Sequence, residues 1–263
     1  MALQRWPAAD GARRGRLLLI HGLSSIAGSW WRMGPALAAR GWDVAAVDQA
    51  GHGGRPVAGE VSAATLAAAV REVHPQRPDV LIGHSLGTVT ALGLLEADPG
   101  WAATVILEEP PSRLAPEACR ALADGIVADV DAVRADRRAV VDRVRRECPR
   151  WDGEDVHWAV QGIAEMDPDP FARWLLALAA DESLRPAAPD WIGAVAPGAH
   201  VLAAVGDRSL LDGGSALAAA DREALEARLP PGHVIGIAGG HCLHRDAPDA
   251  WLAAVGAILD GRV

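Results

Sequence analysis

Tyrosine is absent from this 263-residue chain and phenylalanine occurs once, so ten tryptophans carry most of its aromatic surface. Cysteine is scarce as well. The three present (Cys119, Cys148, Cys242) cannot all pair within one chain and show no metal-ligand spacing, so a disulfide framework and a thiolate metal centre are both excluded. That pattern leads us to expect a reduced, cytoplasmic protein. No apolar run approaches the ~18–20 residues of a membrane span, so no membrane partner is expected. The start, Met1 to Pro7, lacks the apolar core of a secretory signal. A basic excess is missing too. A net charge of −9 and a pI near 5.4 argue against a nucleic-acid partner, and Arg13, Arg14 and Arg16 read as solvated residues leading into a strand. What is abundant is apolar surface: half the residues are hydrophobic, enough for one large domain with an insertion.

The most informative stretch is Gly83-His84-Ser85-Leu86-Gly87. Before it, Pro78 to Ile82 has strand character. After it, Thr88 to Glu96 carries apolar residues at helical spacing. G-x-S-x-G between a strand and a helix is a nucleophile elbow: the glycines permit a turn too sharp for a side chain, and the serine hydroxyl stands exposed at a helix N-terminus. That helix end favours the negative charge that develops in acyl transfer. Three further segments frame it. Leu17 to Ile20 is a buried-strand run ending in His21-Gly22-Leu23. Asp43 to Asp48 is a second strand, followed by Gln49-Ala50-Gly51-His52-Gly53. Val234 to Ala238 leads into Gly239-Gly240-His241.

This order of motifs (His-Gly, D-x-x-G-H-G, G-H-S-x-G, then a late Gly-His) resembles the α/β-hydrolase family of serine hydrolases, over nearly the whole chain from about Arg16 to Gly261. The resemblance implies a mostly parallel sheet flanked by helices. Strands and helices do alternate from Leu17 to about Leu107, as βαβ units require. Only about fifteen residues precede the first clear strand, so the first two strands of the full fold are expected to be shortened or missing. From Pro111 to about Pro197 the chain instead reads as helical, at the place where this family inserts its lids. The expected organisation is therefore a core of 1–111 and 198–263 with a helical cap of 112–197 inserted after the strand that follows the nucleophile helix. The cap holds Trp151, Trp158, Trp174, Trp191 and Phe171, of which one or two are expected to face the pocket as an apolar lid.

The resemblance also implies roles. Ser85 is the expected nucleophile and needs an adjacent base. His241, behind its glycine pair, matches the family's histidine loop, with His244 as the alternative. Leu86 and Leu23 are expected to supply the two backbone N–H groups of an oxyanion hole. The acid departs from the usual pattern. After the strand His200 to Val205 the chain reads Gly206-Asp207-Arg208-Ser209, with serine where the family places its aspartate. Glu108 and Glu109 end the strand that follows the elbow helix, and adjacent strands are only about 4.8 Å apart. Glu109-Pro110-Pro111-Ser112-Arg113-Leu114 is similar to the segment that carries the glutamate in the zearalenone lactonase type. Glu109 is thus the expected acid, with Asp207 and Glu108 as alternatives.

The resulting expectation is a serine hydrolase acting on a small apolar carboxylic ester or lactone through an acyl-enzyme, without metal, nucleotide or redox cofactor. A homodimer is left open. Carbon–carbon bond hydrolases and thioesterases would use the same constellation. A non-hydrolytic biosynthetic enzyme and a ligand-binding protein on a vestigial site are alternatives of another class.

Overall fold

The computed structural model describes residues 2–9, 13–184, 187–205, 210 and 214–263. Among them, seven strands form one sheet: β1 (Leu3–Trp6), β2 (Gly15–Ile20), β3 (Trp42–Val47), β4 (Val80–His84), β5 (Thr104–Glu108), β6 (His200–Val205) and β7 (Val234–Ala238). Their order across the sheet is β1-β3-β2-β4-β5-β6-β7. All neighbours run parallel except β1, which pairs antiparallel with β3. The four-residue β1 is the single described strand before Gly15.

The central strands are continuous apolar runs because both faces are covered. On β2, Leu18 and Ile20 belong to one core layer while Leu17 and Leu19 belong to the opposite one. Helices supply both covers. On one face lie α2 (Ala63–Val73) and α3 (Leu86–Ala97), with α7 (Ala188–Val195) and α8 (Ala219–Arg228). On the other lie α1 (Met33–Ala38) and α10 (Pro248–Leu259). Ser62 starts α2 through a capping box with Thr65.

Three helices follow β5: α4 (Pro116–Glu147), α5 (Gly153–Ala164) and α6 (Pro168–Ala180). The long α4 buries Cys119, Ala123, Ile126, Val130 and Val133 at helical spacing and then breaks at Asp136, whose φ is −152°. There Asp136 Oδ1 accepts from the N–H groups of Arg138 and Ala139 at 3.0 and 3.1 Å, capping the second arm. These helices share a third apolar cluster with Ala50, Leu66 and Leu86 of the sheet domain. Trp31 Nε1 donates to Asp155 at 2.9 Å and Phe171 meets the His52 ring edge-on at 4.9 Å, which seats the helices over the sheet's carboxyl edge. The helix α7, placed in the cap by the sequence reading, packs instead with the sheet layer through Ala188 and Ile192. Ser112 Oγ accepts from Ala188 N at 3.0 Å and donates to Asp221 at 2.6 Å, tying the chain after β5 to α7 and α8.

Candidate active site

The sheet order turns back on itself between β2 and β4: the chain moves outward from β2 to β3 and then continues on β2's other side. A crevice opens at such a switch point, outside the carboxyl ends of the strands. The elbow stands there. Ser85 follows β4 with φ 52° and ψ −117°, a left-handed backbone that a non-glycine residue adopts only under constraint. The constraint is close approach. A Cβ on Gly87 would collide with the carbonyl oxygens of Ile20 and His21, so the start of α3 lies directly on the end of β2. Gly22 is just as tight: a Cβ there would stand 3.2 Å from Ser85 Cβ and 2.8 Å from His84 Nδ1. The loop His21-Gly22-Leu23 is thereby pressed against the serine.

That loop is held by its neighbour. Gln49 N donates to His21 Nε2 at 3.0 Å, Gln49 Nε2 donates to the His21 carbonyl at 2.6 Å, and Ser24 N donates to His52 Nε2 at 3.2 Å. Ala27 N donates to Asp48 at 2.7 Å. Both imidazoles must be neutral to accept these bonds. Burial holds His52 down at about 4 and His21 well below its ordinary value. In the sequence His21 and His52 are visible only as members of the His-Gly and D-x-x-G-H-G motifs. Their part in fixing the loop that carries Leu23 was signalled only by the histidine in Gly51-His52-Gly53.

The two glutamates at the end of β5 take different partners. Ser85 N donates to the Glu108 carbonyl at 2.9 Å and Glu109 N donates to the Leu202 carbonyl at 2.9 Å, so this corner is stitched to strands on both sides. Glu109, at φ 52°, leaves the extended conformation. Its fully buried carboxylate accepts from Ala204 N at 2.6 Å, Ala216 N at 2.7 Å and Ser215 Oγ at 2.9 Å, and lies 3.3 Å from His241 Nδ1. With Nδ1 turned to the carboxylate, the proton sits there and Nε2 is left as an acceptor. Glu108 lies on the other side. Its Oε1 accepts from His244 N at 3.1 Å and lies 2.8 Å from His244 Nδ1, while Oε2 accepts from Trp251 Nε1 at 2.9 Å. The alternatives are thereby separated: His244 pairs with Glu108 and not with Glu109, while Asp207 and Ser209 lie outside the described residues.

His84, Glu108 and His244 form the one group among the described residues with metal-ligand proximity. Their atoms are largely committed to one another and to the backbone. Both Glu108 oxygens accept protein N–H groups, and His84 Nε2 donates to the His241 carbonyl at 3.0 Å. Burial pushes the Glu108 carboxyl up and both histidines well below their ordinary value. The group reads as a hydrogen-bonded brace that joins β4, β5 and the His241 loop. In the sequence His84 is visible only as a member of the elbow motif, and nothing there signals this brace.

A cavity of about 1410 Å³ lies between the sheet edge and the cap helices, and Ser85, His241, Leu23 and Leu86 all line it. The Ser85 hydroxyl makes no hydrogen bond to another described residue and is open to this space. Trp151, Trp174 and Trp191 also line it. Trp158 instead lies over Gly28 and Phe171 is fully buried, so these two pack the cap.

A family model described as alpha/beta hydrolase family matches residues 17–255. The chain belongs to the alpha/beta hydrolase family. Among curated proteins it is similar to the pimeloyl-[acyl-carrier protein] methyl ester esterase of Methylococcus capsulatus, 37% identical over 91 residues. That alignment covers only 35% of each of the two chains. Among solved structures, this hydrolase superposes on MenH from S. aureus with a TM-score of 0.71 at 14% identity, covering 99% of this chain and 98% of that one. The enol-lactonase of Burkholderia xenovorans gives 0.68 at 17% identity, covering 98% and 96%. The thermophilic esterase of Thermogutta terrifontis gives 0.67 at 19%, covering 99% and 93%. At these identities the superpositions establish the fold. No described helix of this hydrolase is long and apolar enough to cross a membrane.

Proposed function

We propose that this hydrolase cleaves a small carboxylic ester or lactone through an acyl-enzyme on Ser85. The observation that carries the reading is the contact between His241 Nδ1 and the Glu109 carboxylate, in a cavity that Ser85 also lines. His241 Nε2 takes the Ser85 proton as Oγ attacks the carbonyl carbon. The Leu23 and Leu86 N–H groups hold the oxyanion. The alkoxide leaves with the proton from His241, and water, deprotonated by the same nitrogen, releases the acid and restores Ser85. Glu109 fixes the tautomer and supports the imidazolium. An acid on the strand after the elbow helix is also the arrangement suggested by the similarity of residues 109–114 to the zearalenone lactonase type. The helices α4, α5 and α6 supply the lid, and Trp151 and Trp174, with Trp191 of α7, form the apolar wall that selects the substrate. The three cysteines, none of them disulfide-bonded, suit a cytoplasmic location.

Labelling with a fluorophosphonate probe tests the nucleophile, and a panel of p-nitrophenyl esters, thioesters and lactones tests the bond cleaved. The expected result is labelling of the wild type, none of Ser85→Ala, and an ester or lactone as the best substrate. Ser85→Ala should lose on the order of 10⁴-fold or more in kcat. An unlabelled wild type would overturn the reading, and a thioester preference would redirect it.

A further inference from the structure

Arg245 has no anionic partner among the described residues. It follows His241 by four residues on the short helix α9 (Leu243–Asp246) and is only 5% exposed. Its Nη2 donates to Ser25 Oγ at 3.3 Å, and its guanidinium lies over the Trp151 ring at 4.8 Å. Among the described residues its buried Nε has no hydrogen-bond partner and it forms no ion pair with a carboxylate. The adjacent Asp246 is engaged elsewhere, accepting from Trp151 Nε1 at 2.9 Å and from Gly240 N at 3.0 Å. Of the other arginines lining the cavity, Arg143 pairs with Asp129 at 2.6 Å and Arg113 approaches Asp221 at 3.8 Å, while Arg173 makes no ion pair with a described carboxylate but is exposed to solvent. A guanidinium cannot shed its proton to escape burial, so an unpaired one is costly unless something supplies the charge.

Arg245 lines the cavity that contains Ser85, and Ser25, its hydroxyl partner, is two residues beyond Leu23. We propose that Arg245, with Ser25, binds a carboxylate of the substrate. On this view the scissile ester or lactone belongs to an acid that carries a second, ionised carboxylate. A guanidinium held over an indole face and bonded to Ser25 is restrained in position, and its planar fork suits a planar carboxylate. Hydrolysis consumes water and releases a dicarboxylate with the alcohol, or the corresponding hydroxy diacid from a lactone. The inference rests on the reading of Ser85 as the nucleophile for turnover, but not for binding.

The test compares p-nitrophenyl half-esters of straight-chain dicarboxylic acids, succinic through suberic, with p-nitrophenyl esters of monocarboxylic acids of equal chain length. It reads the ratio of kcat/KM, anionic over neutral, in the wild type, Arg245→Lys and Arg245→Gln. The ratio should favour the best half-ester in the wild type and fall about 10- to 100-fold in Arg245→Gln, mainly through KM, with Arg245→Lys between them. An unchanged ratio in a folded Arg245→Gln protein would overturn the proposal. If that variant does not fold, calorimetric titration of the wild type with the free dicarboxylates decides. Binding by one member of the series that is lost on its conversion to a dimethyl ester supports the site, and no binding by any of them overturns it. If nothing is turned over, the reading of Ser85 has failed, and the same titration still judges Arg245.

Discussion

Glu109 and His241 stand 132 residues apart in the chain, and carboxylate and imidazole meet at 3.3 Å. Three protein donors besides the histidine hold the Glu109 carboxylate, so it is pinned before any substrate arrives. A pinned anion can enforce one tautomer on its partner without reorganising during the reaction.

Replacing Glu109 by Gln should lower kcat on the order of 10⁴-fold, by allowing the wrong tautomer and leaving the imidazolium unsupported. The check is steady-state kinetics on the best ester, together with the same change in a Ser85→Ala background, where it should add little further loss. A Glu109→Gln variant with near wild-type kcat would remove this residue from the mechanism.

Glu108→Gln should act differently. Glu108 accepts from His244 N and Trp251 Nε1 and contacts His244 Nδ1 in a fully buried place, so one of those bonds would face an amide NH₂ instead of an oxygen. Denaturant unfolding should show a loss of about 1–3 kcal/mol, the cost of a buried polar group left unmatched. The fall in kcat should be far smaller than for Glu109→Gln.

Stability should decline on the acid side. Burial lowers His52 to about 4, and burial with the neighbouring His233 lowers His200 to about 4, against 6.5 for a free histidine. The unfolded chain therefore binds more protons than the folded one between about pH 6.5 and 4, so unfolding becomes easier as pH falls through that window. Fully buried His52 can contribute up to ~1.4 kcal/mol per pH unit there. Urea midpoints measured from pH 7 to 4.5 should drop for the wild type and drop less steeply for His52→Gln, whose amide oxygen can still accept from Ser24 N. Equal slopes would show that His52 does not carry the effect.

The sequence by itself determined the periodic parts. Apolar runs bounded by glycine and polar turns specify parallel strands, so the buried strand 200–205 and the partly exposed edge strand 234–238 appear where the pattern puts them. The elbow was equally legible, because a turn that tight admits few residue types. Other features needed the fold. Glu108 and Glu109 are adjacent and chemically identical, and only the left-handed turn at Glu109 and the position of β6 decide which one reaches His241. The helix α7 is apolar and amphipathic like the cap helices before it, so its attachment to the sheet layer was invisible until α3 and α8 offered it a surface. Arg245 is one arginine among many in the sequence. Its isolation is a property of what surrounds it, and hydrogen bonds and charge pairs between distant segments exist only once tertiary packing has brought them together.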